Sequence, residues 1–313
     1  MTTLSHIQSL RYFTGGFFVG LILLIVSCTK QENPNLPLTI ALGKKVFNDT
    51  QISHNNTKSC ASCHNQNLAF TDGYRTSITA NGEHLLKNSP TLLYLKNNKF
   101  FDYSNPNITS LEQQHLRPLF GRNPIELGTD SIAFLNHVNN DTSYTNLFRN
   151  YGVDSISSMQ NIIVSIADYI KLLSPYNSPY DHYMNGDSLA LTHNQIAGMK
   201  LFKSDRINCV SCHGGPNFTL TNITSIPNLV YPRDHWNSSI SDHPIKIPTL
   251  RNIAVTDPYM HDGSINTIKE IIDKYNEHLK PLNGFRVTSM NEEEKLQLID
   301  FMYALTDEEY NDN

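Results

Sequence analysis

Two short segments of this chain have the residue types and the spacing that redox chemistry requires. Residues 60–64 read Cys-Ala-Ser-Cys-His, and residues 209–213 read Cys-Val-Ser-Cys-His. This Cys-x-x-Cys-His pattern is the attachment signature of a c-type haem. The thioether bonds would form at Cys60, Cys63, Cys209 and Cys212. The proximal iron ligands would be His64 and His213, so the sequence predicts two covalent c-type haems and a function in redox chemistry.

The cysteine pairs have three other interpretations: a disulfide, a four-cysteine zinc site and a thioredoxin-like redox motif. A zinc site would leave both histidines unexplained. The two pairs also lie about 150 residues apart, whereas zinc-binding pairs usually lie about 15–20 residues apart. A redox Cys-x-x-Cys does not require a histidine directly after it. The doubled pattern therefore favours haem.

The fifth cysteine, Cys28, follows an apolar run over residues 15–26. This run is short for a membrane span but has the length of a signal-peptide core. Residues 25–28 read Ile-Val-Ser-Cys and are similar to a bacterial lipobox. We therefore expect a lipoprotein signal peptide over residues 1–27, lipidation at Cys28 and a polar tether over residues 28–37. The alternative is an uncleaved membrane anchor. Both place the globular part outside the cytoplasm, and we expect it in the periplasm, lipid-anchored to a bacterial membrane.

The elements that must position the two haem motifs repeat along the chain. Residues 40–47 and 196–202 each place apolar residues at helical spacing with a glycine on one face, ahead of a haem motif. Two further amphipathic helices are predicted over residues 159–173 and 292–306. Strand signals are weak throughout. The sequence therefore predicts a mostly α fold with long loops.

A proline-containing break at residues 174–179 is the predicted domain boundary. It separates an N-terminal, peroxidatic haem domain over residues 38–178 from a C-terminal, electron-transfer haem domain over residues 179–313. About 275 residues after the tether are enough for two compact domains. The net charge of −5 and the absence of a basic block argue against nucleic-acid binding.

Between Leu38 and Thr306, the chain resembles the bacterial di-haem cytochrome c peroxidases and the related enzyme MauG. The shared segments in the first half are residues 42–47, 60–64, 70–73, 88–92, 111–114 and 123–126. The shared segments in the second half are residues 209–218, 247–252 and 258–263. The resemblance implies two cytochrome c-like domains that face each other, each with one covalent c-type haem.

The resemblance also implies a peroxidatic site at the first haem. Glu126 would move a proton between the two oxygens of hydrogen peroxide, and Gln114 would hydrogen-bond to them. Partial desolvation would raise the pKa of this carboxyl. The alternative interpretation, which the residues alone favour, is that Glu126 is a surface carboxylate at the start of a helix. Ala80 stands where many members have a histidine that caps the iron, so we expect a permanently open site, with His84 as a nearby alternative cap.

For the second haem, the resemblance places the sixth ligand fourteen residues after His261, at Tyr275. A phenolate stabilises ferric iron and would lower the reduction potential of this haem. Met260 and Met290 are rival ligands, and Tyr275 would also fit the apolar stripe of a helix.

Two further features come from the same resemblance. Family members commonly bind calcium between the domains through hard oxygen ligands. The matching positions are Asn88, Thr256 and Pro258. None of these is a carboxylate, so ordinary loop residues are the alternative. The family also has a tryptophan between the haems that relays electrons, but this chain has Phe101 there and its only tryptophan is Trp236. Electrons would tunnel directly or use Tyr103, and an insertion at residues 117–122 also departs from the pattern.

The motifs and the resemblance predict a di-haem cytochrome c peroxidase. It would reduce hydrogen peroxide to water with electrons from a small periplasmic cytochrome c or cupredoxin. A MauG-like oxidase that acts on a protein side chain or a small molecule is the alternative enzyme, favoured by Tyr275 and Ala80. A non-catalytic di-haem electron carrier is the alternative outside enzymes. Membrane contact is expected only through the lipid, and the sequence leaves open whether the protein is a homodimer.

Overall fold

The computed structural model describes residues 36–156, 158–222, 224, 245–278 and 289–311, so the predicted lipidation site at Cys28 lies outside the described residues. The described part of the chain forms nine α-helices joined by long loops and short 3-10 turns. The helices are α1 (Leu38–Phe47), α2 (Leu111–Phe120), α3 (Ser131–Asn140), α4 (Thr142–Asn150), α5 (Met159–Lys171), α6 (Pro179–Met184), α7 (His193–Phe202), α8 (Ile268–His278) and α9 (Glu292–Tyr303). Extended pairing within these ranges is limited to three isolated bridges. The expected mostly α fold is confirmed.

In the first half, α1 crosses α5 at Gly43. A Cβ atom at this position would overlap the Ser165 carbonyl and lie 2.9 Å from the Tyr169 Cβ. Only glycine therefore allows the two backbones to approach this closely. At the end of α1, the Phe47 ring packs edge-on against Phe70 and Tyr169, with centroid distances of 6.0 Å and 5.4 Å.

The second half repeats this crossing with α7 and α9. A Cβ atom at Gly198 would overlap the Gln297 carbonyl and lie 2.9 Å from the Phe301 Cβ. The Phe202 ring at the end of α7 packs against Phe218 at 5.7 Å and against Phe301 at 5.5 Å between centroids. The repeat in the sequence therefore corresponds to a repeated helix crossing and a repeated aromatic cluster.

The buried apolar residues form two main clusters. One collects residues between 41 and 170 together with Tyr310, and the other collects residues between 180 and 305. The segment 174–179 lies between them in the chain. Among the residues that the structure describes, no helix combines the length and the apolar character needed to cross a membrane.

The close crossing of α1 and α5 predicts the effect of a small substitution. In Gly43→Ala the added methyl group meets backbone, which cannot rotate away as a side chain can, so we expect a loss of about 1–3 kcal/mol in the free energy of unfolding. Lys44→Ala is the matched control because Lys44 is exposed on the same helix, and it should change stability by less than about 0.5 kcal/mol. Thermal or denaturant unfolding measures both. Equal stability of the two variants would contradict the tight crossing.

Candidate functional site

The two haem motifs adopt the same local structure. Each begins with a 3-10 turn, Cys60–Ser62 in the first motif and Cys209–Ser211 in the second. The backbone N–H of each histidine donates to the carbonyl of the first cysteine, at 3.0 Å and 2.8 Å respectively. All four thiols are unbridged. Both motifs therefore present two available thiols and an imidazole on one short turn, which is what covalent haem attachment requires.

The two histidines are held in the same tautomer. His64 Nδ1 lies 3.0 Å from the Phe70 carbonyl oxygen, and His213 Nδ1 lies 3.0 Å from the Phe218 carbonyl oxygen. A carbonyl only accepts, so Nδ1 carries the proton and Nε2 keeps its lone pair. Burial lowers the pKa of both imidazoles and favours the neutral form. A neutral imidazole oriented through Nδ1 is the form that ligates iron, so these residues fit a c-type haem.

The first thiol of each haem motif does not have the character of a reactive redox cysteine. Burial raises the pKa of Cys60 to about 12 and that of Cys209 to about 12. Reactive cysteines have depressed pKa values because the thiolate is the nucleophile. Within the described ranges, no group of three or more histidine, cysteine and carboxylate residues is arranged to hold a metal ion. The raised thiol pKa values therefore do not favour the thioredoxin-like interpretation.

Glu126 lies within electrostatic range of the first haem motif. Burial is the largest cause of a raised pKa at Glu126, Arg117 opposes it, and Asp102 adds to it. After burial and Asp72, the charge on Glu126 also contributes to the raised pKa of Cys63. The sequence-predicted carboxylate is therefore partly desolvated and within electrostatic range of Cys63.

Arg117 also belongs to this site, although its sequence position predicts no function for it. Its Nε lies 3.7 Å from Glu126 Oε1, and its Nη1 lies 3.7 Å from Asp102 Oδ2. The guanidinium is half-exposed, whereas the Asp102 carboxylate is buried. Arg117 begins the insertion noted in the sequence, and an arginine in an unmatched segment gives no signal of this contact. The Arg117 guanidinium therefore lies between two acidic side chains.

Gln114 and His115 lie next to each other on α2. Gln114 is half-buried and stands one helical turn before Arg117. His115 is buried with Leu111 and Leu119 on the inner face of the helix, and burial lowers its pKa to about 4. His115 had no predicted function, and the structure assigns it to the core face of α2.

The loop that carries Ala80 is attached directly to the Glu126 segment. Ala80 is 8% exposed, its N–H donates to the Glu126 carbonyl at 2.9 Å, and its carbonyl accepts from Asn55 Nδ2 at 2.7 Å. His84, the nearby alternative cap, is exposed, and its Nδ1 lies 3.2 Å from Thr76 Oγ1 in its own loop. Position 80 is thus attached to the segment of the predicted catalytic glutamate, whereas the His84 imidazole contacts Thr76.

The three candidate sixth ligands of the second haem lie in different surroundings. Tyr275 is on α8 and is 43% exposed. Met290 is buried in the second apolar cluster, and its backbone N–H donates to Asn276 Oδ1 at 2.6 Å. Met260 lines a cavity of about 130 Å³.

The same cavity is lined by the predicted calcium ligands. Asn88, Thr256 and Pro258 all contribute to its wall. The Asn88 Nδ2 group donates to the Tyr74 carbonyl at 3.0 Å, which leaves Oδ1 as the side-chain oxygen available to a cation. Oxygen ligands of this kind suit calcium.

The segment that contains Phe101 and Tyr103 contacts Lys246 of the second half. Lys246 Nζ donates to the Phe101 carbonyl at 2.9 Å, and its N–H donates to the Tyr103 carbonyl at 2.9 Å. Lys87 Nζ lies 4.9 Å from the centroid of the Tyr103 ring. A cation over the ring opposes removal of an electron from it. Trp236 lies outside the described residues.

Comparison with known proteins agrees with this geometry. Residues 37–189 match the family described as di-haem cytochrome c peroxidase. The cytochrome c551 peroxidase of Nitrosomonas europaea is 30% identical over 74% of this chain and 71% of its own length. The methylamine utilization protein MauG of Methylorubrum extorquens is 26% identical over 88% of this chain and 80% of its own length. A solved MauG-like protein associated with microbial copper homeostasis is 28% identical, with a TM-score of 0.76 over 88% of this chain and 93% of its own.

Proposed function

Because this chain belongs to the di-haem cytochrome c peroxidase family, we propose that it reduces hydrogen peroxide to water with electrons from a small periplasmic cytochrome c or cupredoxin. Membership of this family implies two c-type haems. When bound, the haems supply iron that reacts with peroxide and a store for the electrons. The observation that carries the proposal is Glu126, a carboxylate only 24% exposed that lies 3.7 Å from the Arg117 guanidinium and within electrostatic range of Cys63 in the first haem motif.

Glu126 acts as the proton carrier in this proposal. Its carboxylate takes a proton from one oxygen of hydrogen peroxide and returns it to the other, so that the O–O bond breaks with water as the leaving group. Gln114 has both a donor and an acceptor to orient the peroxide oxygens. Arg117 limits the rise of the Glu126 pKa, because its positive charge favours the ionised carboxylate that the first proton transfer needs.

The surrounding residues have supporting roles. His64 holds the first haem, and Ala80 leaves the position beside Glu126 without a ligating side chain. His213 and Tyr275 hold the second haem, in the domain that begins at residue 179. The separate apolar clusters on either side of residues 174–179 support this division. Cleavage before Cys28 and its lipidation would tether the exported protein to the membrane.

We also propose that Asn88 Oδ1 and the backbone carbonyls of Thr256 and Pro258 bind a calcium ion. Binding to the folded state alone stabilises a protein by about 2.7 kcal/mol when the free ion is at about 100 times its Kd. We therefore expect added calcium to raise the melting temperature of the holoprotein and the chelator EGTA to reverse this. Asn88→Ala should abolish the effect, and Asn97→Ala, at an exposed position, should keep it. A melting temperature that does not respond to calcium would remove the ion from the proposal.

A second candidate function is a MauG-like oxidation of a protein side chain or a small molecule. Ala80 favours it, because a site that needs no reductive opening can react with peroxide in the absence of a donor. The similarity to MauG and to the MauG-like structure also supports it. The test is peroxide consumption by the holoprotein with and without reduced cytochrome c. Rapid consumption only with the donor supports the peroxidase, consumption without it supports the oxidase, and no consumption leaves a simple electron carrier.

The acid limb of the pH profile should report Glu126. Because the ionised carboxylate is the active form, kcat/KM should fall as the pH drops through the pKa of Glu126, which burial raises above its ordinary value. In Arg117→Gln the opposing cation is lost, so the pKa rises further and the acid limb moves to higher pH. Arg122→Gln, which changes an exposed arginine of the same insertion, is the control and should leave the limb in place. A limb at the same pH in both variants would exclude Arg117 from this role.

A further inference from the structure

Tyr94 occupies the position in the first half that Asn252 occupies in the second. Each is the second residue after a Pro-Thr-Leu segment, at residues 90–92 and 248–250. The φ angles of Tyr94 and Asn252 are +62° and +59°. Their N–H groups donate to the carbonyls of Leu173 and Leu305, just beyond the ends of α5 and α9, at 2.7 Å and 2.9 Å. Asparagine adopts this left-handed backbone readily, whereas a bulky aromatic residue is an outlier there. An outlier that the surrounding structure maintains marks a candidate functional position.

The Tyr94 phenol is paired with a buried proton acceptor. Its O–H donates to the carboxylate of Asp307, and both residues are buried. Asn252 Nδ2 donates to the same carboxylate at 2.6 Å, and the Asn177 N–H donates to it at 3.2 Å. Burial raises the pKa of Asp307, which makes it a better proton acceptor than an exposed aspartate. Oxidation of a phenol at neutral pH releases its proton, and Asp307 is placed to receive it.

A second tyrosine connects Tyr94 to the surface. The Tyr176 ring lies 4.8 Å from the Tyr94 ring between centroids. Tyr176 is 39% exposed, whereas Tyr94 is 2% exposed. The Asn217 amide holds both residues, since its Oδ1 accepts from the Tyr176 phenol at 2.7 Å and its Nδ2 donates to the Tyr94 carbonyl at 3.2 Å. The two rings form a contiguous path from the interior to solvent.

This path begins between the loops that orient the two haem histidines. Thr91, three residues before Tyr94, donates through Oγ1 to the Ala69 carbonyl at 2.6 Å. The residue after Ala69 supplies the carbonyl that orients the first haem histidine. The residue after Asn217 supplies the carbonyl that orients the second. Tyr94 is therefore attached to both proximal loops.

The charge beside the two rings is compensated. The Arg251 guanidinium lies 5.0 Å from the Tyr94 centroid and 4.7 Å from the Tyr176 centroid. Alone it would oppose removal of an electron from either ring. It forms a two-bond pair with the Asp181 carboxylate, at 2.8 Å for both bonds, so the adjacent ion pair carries no net charge.

From this arrangement we propose that Tyr94 and Tyr176 relay oxidising equivalents from the first haem site to the protein surface. The inference rests on the peroxide reduction proposed above. Tyr94 loses one electron to the haem site that hydrogen peroxide has oxidised, its O–H bond breaks, and the proton passes to Asp307. Tyr176 then gives one electron to Tyr94, Asp307 returns the proton, and Tyr176 releases its own phenol proton to solvent. An external one-electron reductant and a solvent proton restore Tyr176, and two such passes supply the two electrons that peroxide takes up.

The relay is tested by trapping radicals on the protein. Holoprotein is mixed with hydrogen peroxide and the spin trap 2-methyl-2-nitrosopropane in the absence of a donor, and the adducts are located by mass spectrometry. We expect an adduct at Tyr176 in the wild-type protein and its reduction by about tenfold or more in Tyr94→Phe, as for loss of a proton-coupled step. Tyr303→Phe is the matched control, since Tyr303 is 54% exposed on α9, and it should leave the Tyr176 adduct unchanged. Electron paramagnetic resonance of freeze-quenched samples should show a radical signal that narrows when ring-deuterated tyrosine is incorporated.

Peroxide consumption with reduced cytochrome c is measured on the same preparations. The relay is overturned if the wild-type protein consumes peroxide but forms no tyrosyl radical. It is also overturned if Tyr94→Phe leaves the Tyr176 adduct unchanged. Both results leave the proposed function intact. A wild-type protein that consumes no peroxide overturns both. If Tyr94→Phe does not fold or attach haem, Tyr176→Phe replaces it, because Tyr176 is partly exposed. The Tyr94 radical should then persist longer than in the wild type, and an unchanged lifetime overturns the relay.

Discussion

Replacing Glu126 by glutamine should lower kcat/KM for hydrogen peroxide by about 10²- to 10⁴-fold, the usual contribution of a positioned acid–base group. Glutamine has nearly the same size and shape but cannot take up a proton in the relevant pH range. The expected loss corresponds to about 3–5 kcal/mol of transition-state stabilisation. The measurement is steady-state peroxide consumption with reduced cytochrome c, on protein whose haem content matches the wild type.

Glu83→Gln is the matched control for this variant. Glu83 is an exposed carboxylate in the loop that also carries Ala80, so its neutralisation changes the net charge equally without changing the site. We expect wild-type turnover in this control. A Glu126→Gln variant with both haems attached and turnover within about twofold of the wild type, far outside the expected range, would remove Glu126 from the mechanism.

Four helices and both haem motifs could be predicted from the sequence because their signals are local. The glycines at positions 43 and 198 stand in apolar helical patterns, and the structure places each at a helix crossing. The predicted helices over residues 159–173 and 292–306 end two and three residues early, at Lys171 and Tyr303. The sequence pattern did not predict α3 and α4, although Asp130 and Asp141 cap their N-termini with side-chain hydrogen bonds. These caps are a sequence signal that could have located both helices.

Other features of the site depend on contacts between distant parts of the chain. Tyr94 and Asp307 are 213 residues apart, and no local pattern links them. Arg117 lies in an insertion, so neither periodicity nor resemblance indicates that its guanidinium faces Glu126 and Asp102. The surroundings of the predicted ligands and catalytic residues, including burial and compensating charge, exist only once the loops have packed. A sequence pattern can therefore indicate which residues carry the chemistry but not the electrostatic environment that tunes them.

Introducing histidine at position 80 should close the first haem site. Ala80 is buried, and its N–H is bonded to the Glu126 carbonyl, so an imidazole there would project from the loop that adjoins the proposed catalytic carboxylate. We expect the oxidised wild type to give one high-spin and one low-spin ferric signal in electron paramagnetic resonance. In Ala80→His the high-spin signal should convert to low-spin. Peroxide turnover by the oxidised variant should fall by about 100-fold, as expected when only about 1% of the molecules are competent.

Ala80→Leu separates ligation from crowding. Leucine fills similar space but cannot bind iron, so this variant should keep the high-spin signal even if turnover falls. Reduction of Ala80→His before peroxide is added should restore part of its activity, because weakening of the bond between histidine and iron reopens the site, whereas reduction should not help Ala80→Leu. Two low-spin signals in the wild type would show that the first site is already capped, and an unchanged high-spin signal in Ala80→His would show that position 80 does not face the iron. Either result would contradict the inference that alanine at position 80 lets this protein react with peroxide without reductive activation.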